Sequence, residues 1–266
     1  MQRLPDVKLA DVQATYTGPE ADLWELLMGE QIHIGGFRSS MDLATQSGIG
    51  AGQEGVDLCC CTGAGMRFLV RFRQVKRMRG VDATPRMVEL GRKRCAEDGS
   101  ADRIEFVQAD VCQSGLPSAC ADFVWGEDAW CYVVDKPRLI AEAARIVKPG
   151  GTIAFTDWVE GKALGGAEAT RYLRFLKFPS ILTVKEYSDL LAKNGCQVVQ
   201  AADTGRFAPH VDLYLSMVDK QLTYDALKII GFDSKMMETV AQEMTHIQQL
   251  AHAGKIAQGL FVARKG

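Results

Sequence analysis

The sequence predicts an α/β protein built on a mainly parallel sheet covered by helices on both faces. Three observations predict it. From Gly55 to Thr156, short runs of strand character alternate with helical patterns, the signature of strand–helix–strand units. Val56–Gly65 (Val-Asp-Leu-Cys-Cys-Cys-Thr-Gly-Ala-Gly) reads as a buried strand entering a glycine turn, with a helical pattern directly after it. Such a turn gathers backbone N–H groups and a positive helix end where a ligand can approach. Asp82 then stands nineteen residues past Gly63, at the end of a second strand-like run, where an acid suits the ribose hydroxyls of a nucleoside cofactor.

The bulk properties fit this class. The 266 residues are enough for one large domain or one and a half, with 47% apolar and 24% charged residues. A net charge of −2 gives no general pull toward nucleic acid or an anionic membrane. The local run Arg67, Arg71, Arg73, Lys76, Arg77 and Arg79 is read as a solvated face, with a binding patch as the lesser alternative. The eight cysteines are not spaced as a disulfide framework: Cys59, Cys60 and Cys61 are consecutive and the others scattered. The start of the chain lacks an apolar leader, and no run approaches a membrane span, so a reduced, cytoplasmic protein is expected. No His/Cys/Asp/Glu cluster has metal-ligand spacing.

In chain order, residues 1–54 are expected to form an N-terminal helical cap, with helices over Ala21–Met28 and Ser40–Ser47. The main domain, 55–266, begins with a strand at Val56–Cys60 and a helix from Gly65 to Phe72. A strand at 76–81, a helix from Pro85 to Asp98 and strands at 104–108 and 122–125 follow. Next come a helix over Pro137–Ile146, the turn Lys148-Pro149-Gly150-Gly151 and a strand at 152–156. Residues 158–183 break the rhythm and read as a cap insertion over the site. A helix to Asn194, a strand at 196–201, two long helices (207–227 and 235–253) and a final strand at 259–264 complete the chain.

Ligands of open parallel sheets bind at the carboxyl ends of the strands. Those ends carry Thr62-Gly63-Ala64-Gly65, Asp82-Ala83-Thr84, Ala109-Asp110-Val111, Gly126-Glu127-Asp128-Ala129-Trp130 and Asp157-Trp158. Acids gathered along one sheet edge point to a ligand. In this order, with Leu/Val-Lys-Pro-Gly-Gly before the fifth strand, the chain resembles the class I S-adenosylmethionine-dependent methyltransferases, firmly over 55–158. The resemblance implies a Rossmann-like, seven-stranded sheet whose last strand, 259–264, is antiparallel. It implies S-adenosyl-L-methionine as cofactor: Gly63 and Gly65 at the methionine part, Asp82 on the ribose with Ala83 beside it, Asp110 on the adenine amino group, Val111 against the ring, and Glu127 near the sulfonium. Tyr16, Ile34, Cys61 and Met87 are placed in the same cofactor set.

Trp125–Ala129 together with Gly29–Phe37 is similar to the small-amine N-methyltransferases, closest to those that methylate sarcosine and dimethylglycine. The related phosphoethanolamine methyltransferases carry an Asp and, four residues on, a His; here Asp128 is followed by Tyr132. An amine acceptor must expose its lone pair, and its methylated product is a cation that aromatic faces stabilise. Tyr132, Asp128 and His33 are the catalytic candidates, and Trp130, Trp158 and His210 the substrate contacts. Each has a plain alternative: packing for Trp130 and Tyr132, helix capping for Asp128 and His210, loop hydrogen bonding for His33. Cys59 and Cys61 stand where the family's turn has glycines, so Cys61 is expected against the cofactor. Rival readings are methylation of carbon, oxygen or sulfur in a larger apolar metabolite, with Phe175, Phe178 and Ile181 lining the pocket, or a non-catalytic cofactor-binding regulator. A small-molecule acceptor is the expected partner, nucleic acid is not expected, and a homodimer is left open.

Overall fold

The computed structural model of the chain describes residues 2–4 and 6–266. Strand β1 (Gln2–Arg3) is followed by helices α1 (Leu9–Thr17), α2 (Pro19–Met28) and α3 (Gly36–Ser47). The alternating region is β2 (Glu54–Leu58), α4 (Ala64–Phe72), β3 (Arg77–Asp82), α5 (Pro85–Glu97), β4 (Ile104–Gln108), β5 (Ala121–Glu127), α6 (Lys136–Ile146) and β6 (Val147–Glu160). Then come α7 (Gly166–Leu176), β7 (Ser180–Thr183), α8 (Val184–Lys193), β8 (Cys196–Asp203), α9 (Phe207–Met217), α10 (Thr223–Ile229), α11 (Ser234–His252) and β9 (Ile256–Lys265).

Seven strands form the expected sheet in the order β4-β3-β2-β5-β6-β9-β8, and only β9 runs antiparallel to its neighbours there. Two additions were not expected. β6 outruns β5, and its far end pairs in parallel with β7, adding an eighth strand. β1 then pairs antiparallel with β7. The N-terminus and the 158–183 insertion are therefore one substructure. α1 was also missed, although Leu9, Val12 and Tyr16 recur at helical spacing.

Period-two alternation distributes the core. Val124, Ile153, Phe155, Phe261 and Ala263 face one layer with Leu139, Ile140 and Tyr187. Phe123, Trp125, Ala154, Leu260 and Val262 face the other with Met66, Phe68 and Val88. α3 packs on this second layer through Leu43 and Ala44, so it belongs to the sheet and not to the cap. A third cluster, with Trp158, Tyr172, Phe178, Phe207 and Met244, unites α7, α9 and α11 with the first cap residues.

The cap is fastened to the core by charge. Asp22 pairs with Arg86 (2.8 Å), Glu25 with Arg94 (2.6 Å), and Glu30 with Arg67. Much of the basic run is thus used within the chain: Arg67 is buried, Lys76 pairs with Glu54, and Arg79 bonds the Cys120 carbonyl. This favours neither a solvated face for Arg67 nor a nucleic-acid patch.

α5 lies close against β4 because residue 91 is glycine. A Cβ there would sit 2.5 Å from the Phe106 ring and 3.0 Å from the Thr62 carbonyl oxygen. Gly91→Ala should destabilise the protein by about 1–3 kcal/mol through overpacking, read as a lowered urea midpoint at unchanged m-value.

Candidate functional site

The site begins where β2 stops. Leu58 ends the strand, and Cys59 (φ 66°), Cys61 (φ 48°) and Gly63 (φ 74°) all take left-handed backbone conformations. The strand expected over Val56–Cys60 therefore begins and ends two residues earlier, and the cysteines sit in a turn. All three cysteines border one of two cavities here, but Cys60 is buried in the core layer and only Cys59 and Cys61 also line the other. Glycine is the easy residue for such dihedrals, and a thiol side chain tolerates them only with outside support. That support is hydrogen bonding: the Cys59 N–H donates to the Val81 carbonyl (2.9 Å), and the Cys61 N–H to Asp82 Oδ2 (2.9 Å). Asp82 Oδ1 accepts from the Thr84 N–H (2.8 Å). Gly63 is the N-cap of α4, backed by Phe106 and Met66; its place is structural, away from the cavity lining.

Two adjoining cavities open on this turn. The first, about 80 Å³, is lined by Tyr16, Cys61, Asp82, Ala83, Met87, Asp110, Val111 and Tyr132, with Leu9, Val12, Cys59 and Thr84. Cys61 Sγ lies 3.5 Å from Met87 Sδ, so both expected residues meet at one wall. The second, about 50 Å³, is lined by Tyr16, His33, Asp57, Cys61, Gly65, Glu127 and Asp128, among others. Ile32 lines it; Ile34 does not. The Ile34 side chain is fully buried in the cap cluster instead.

Burial raises the pKa of Asp57, Asp82 and Asp128, since each carboxylate loses water. For Asp57 the nearby Glu127 and Asp82 add to the rise. No hydrogen bond or ion pair reaches the Asp57 side chain among the described residues, so this carboxylate is left for a ligand. Glu127 Oε1 accepts from Ser40 Oγ (2.6 Å) and lies 3.3 Å from His33 Nε2. Trp125 Nε1, buried near Gly65, has no hydrogen-bond partner among the described residues. Burial also pushes the Cys61 thiol up to about 12, so little of it is thiolate at neutral pH.

The structure corrects four expected roles. Asp128 is tied up structurally: its Oδ2 accepts from the Ile34 N–H (2.8 Å) and from Gln258 Nε2 (2.8 Å). It joins β5, the cap loop and β9, and neither caps a helix nor keeps its lone pairs for an acceptor. Trp130 is fully buried, stacks on Phe155 (4.0 Å) and donates from Nε1 to the Leu58 carbonyl (3.1 Å), which makes it core. His210 donates from Nδ1 to the Arg206 carbonyl (2.9 Å) on its own helix and is outside both cavities. Trp158 is buried between Phe178 and Phe207, behind the cavity walls.

Tyr132 and Tyr16 remain. Both line the first cavity, with ring centroids 5.3 Å apart, edge to face. Tyr132 also meets Phe178 edge-on at 4.7 Å. Burial raises both phenol pKa values, so both hydroxyls keep their protons at neutral pH. Among the described residues no group of His, Cys, Asp and Glu can hold a metal ion, and no helix is long and apolar enough to cross a membrane.

Known proteins match this architecture. Residues 56–155 match a methyltransferase domain. Phosphoethanolamine N-methyltransferase 1 of Triticum aestivum is 23% identical over 247 residues, 91% of this chain and 48% of the wheat protein, so the chain spans about half of that relative's length. A structure from Galdieria sulphuraria, assigned provisionally as a sarcosine dimethylglycine methyltransferase, superposes with TM-score 0.84 at 19% identity, covering 93% of this chain and 97% of that one. A phosphoethanolamine N-methyltransferase 2 of Haemonchus contortus, in complex with phosphomonomethylethanolamine and S-adenosylhomocysteine, has TM-score 0.84 at 18% identity, covering 95% of this chain and 58% of that one. Residues 56–155 thus resemble a methyltransferase domain, and the chain as a whole shares its fold with these methyltransferase structures.

Proposed function

We propose that this chain transfers a methyl group from S-adenosyl-L-methionine to a small amine, such as a glycine derivative, in a reduced cytoplasmic setting that suits its eight free cysteines. The observation that carries the reading is the pair of cavities meeting at Cys61, one with Asp82 and Asp110, the other with Asp57 and Glu127. The residues present fit the cofactor. Asp82 suits vicinal hydroxyls, Asp110 and Val111 an aminopurine edge and face, and Asp57 with Glu127 an ammonium group. Gly65 keeps that second chamber open: a Cβ there would lie 2.6 Å from Glu127 Oε2 and 3.2 Å from Trp125 Nε1.

When bound, S-adenosyl-L-methionine supplies an electrophilic methyl group on a sulfonium. The chain's own residues hold the acceptor in line and keep water out. Tyr132 and Tyr16 donate hydrogen bonds from phenols that stay protonated, while their ring faces suit the cation that accumulates with methylation. His33, beside Glu127 and Ser40 on the second cavity, supplies an imidazole that suits a proton acceptor.

A second reading has a specific observation behind it. An apolar groove of about 460 Å³ runs between α2, α7 and α11, lined by Leu23, Trp24, Leu27, Phe175, Val240 and Met244. Phe175 lines it as the larger-acceptor alternative expects, whereas Phe178 and Ile181 are packed in the cap core. The groove is separated from the cofactor cavities only by α1, with Thr15 on one side and Tyr16 on the other. A larger apolar acceptor would use it.

One experiment divides these readings: cofactor and protein are incubated with glycine derivatives, ethanolamines, phenols and apolar alcohols, and product masses are read. Methylated small amines are expected. Product from apolar acceptors alone would replace the first reading by the second, and tight cofactor binding with no product from any acceptor would remove methyl transfer. Asp82→Ala should weaken cofactor binding by about 100-fold in calorimetry, because it removes charged hydrogen bonds worth about 1.5–3 kcal/mol each. Tyr132→Phe should lower kcat by about tenfold and leave cofactor affinity within about twofold, which steady-state kinetics and calorimetry separate.

A further inference from the structure

Beneath Tyr132 lies a buried lysine that the site does not use directly. Lys136 is 1% exposed. Its Nζ is 3.1 Å from the Cys131 carbonyl, 3.1 Å from the Val133 carbonyl, 3.0 Å from the Ser180 carbonyl and 2.8 Å from Ser180 Oγ. The first two acceptors flank Tyr132 in sequence. The other two belong to β7, the strand that the cap adds to the sheet, two residues past Phe178. Phe178 is the ring that meets Tyr132 edge-on. The opposite side of the same loop is held by Asp157, whose Oδ1 accepts from the Cys131 N–H (2.9 Å) and whose Oδ2 accepts from Tyr187 Oη (2.5 Å).

We propose that Lys136 is a positioning residue: its buried Nζ clamps the 131–133 loop to β7 and thereby sets Tyr132 against Phe178 and Tyr16 as the wall of the acceptor site. This rests on the acceptor site being where Tyr132 lines the cavity. A helix N-terminus is a poor place for a cation, and Lys136 opens α6, so its charge is unfavourable to the helix. Among the described residues Lys136 has no ion pair within 4 Å, and a buried lysine so placed is also costly. A methionine of similar shape would fill the space without either penalty. What only the lysine provides is a donor to carbonyls on two elements at once.

The groups around Nζ make the clamp sensitive to pH. Asp157 on β6, Cys131 in the clamped loop, Cys59 in the turn and Arg3 on β1 act on it, and Tyr187 on α8 bonds Asp157. Burial lowers the Lys136 pKa from 10.5 to about 8, and raises that of Asp157 to about 7. The ammonium therefore loses its third proton near pH 8 in the folded protein, and with it one donor to the loop.

The test uses Lys136→Met and Ser180→Ala. Lys136→Met should keep the far-UV spectrum and bind cofactor within about twofold of wild type, while acceptor kcat/KM falls by about tenfold or more. The near-UV circular dichroism of wild type should change with a midpoint near pH 8, and that transition should vanish in Lys136→Met. Wild-type kcat/KM together with a retained near-UV transition would overturn the proposal. Should Lys136→Met not fold, Ser180→Ala decides by the same readouts, with a loss of about threefold expected and none overturning it. If wild type methylates no acceptor, the functional reading fails, and the near-UV transition still judges the clamp.

Discussion

The hydrogen bond from the Cys61 N–H to Asp82 is the constraint on which the site depends. It closes a turn in which two cysteines occupy left-handed backbone conformations. Such conformations cost about 1–2 kcal/mol for a residue with a side chain, so the turn needs bonds that an all-glycine turn would not. It has them: Cys59 and Cys60 both donate to the Val81 carbonyl, and Gly63 donates to the Cys60 carbonyl (2.7 Å). β3 thus shapes the turn of its neighbour β2, and the acid that holds the turn is the acid that faces the first cavity. The cysteines give that wall two soft, apolar sulfur atoms. With the thiol of Cys61 held protonated, the wall is neutral next to the carboxylates.

Those carboxylates divide by how their oxygen atoms are occupied. A buried charge must be answered by donors or a counter-ion. Asp128 is answered by Ile34 and Gln258, and Asp157 by Cys131 and Tyr187, so both are joints of the fold. Asp82 has two backbone donors and still borders the cavity; Glu127 has Ser40 and His33 on one oxygen. Asp57 has nothing. The sites that await a ligand are those left unanswered, which places the demand for positive charge beside Gly65. This is why the second chamber suits an ammonium group, while the first offers its Asp82 and Asp110 side to a nucleoside and its Tyr16 and Tyr132 side to an acceptor.

The central sheet was legible in the sequence because its strands alternate with helices and, being covered on both faces, read as short apolar runs. Its seven strands and most helix bounds follow within a few residues. That Asp82, Asp110 and Glu127 border cavities was legible because parallel sheets expose one end of every strand. What was not legible is what depends on contact between distant segments. Trp130 and Trp158 have the composition of a binding wall, but only the packed structure shows Phe155 and Phe207 covering them. Asp128 occupies a loop position suited to catalysis, and its real partners, Ile34 and Gln258, lie 94 and 130 residues away. β1 and β7 are too short for periodicity to register, and they exist by pairing with each other and with the overhang of β6.

That overhang connects fold to chemistry. A strand longer than its neighbour presents unpaired backbone donors and acceptors beyond the sheet, and these must be covered. β7 covers them, and Phe178 arrives with it. α1 then lies over the turn, with Leu9, Val12 and Tyr16 closing the first cavity. The cavities as closed, about 80 and 50 Å³, are well below the several hundred Å³ of typical cofactor pockets, so admission of a nucleoside requires the cap to move. The three ion pairs of the seam, Asp22–Arg86, Glu25–Arg94 and Glu30–Arg67, are suited to such movement. Partly exposed pairs are individually weak and are readily exchanged for water and salt, so they hold a closed state without locking it. The apolar joint around Phe178 stays packed meanwhile. Opening at the α2 side, with the Tyr132 wall kept fixed on β7, would let a cofactor enter without dismantling the surface that orients the acceptor.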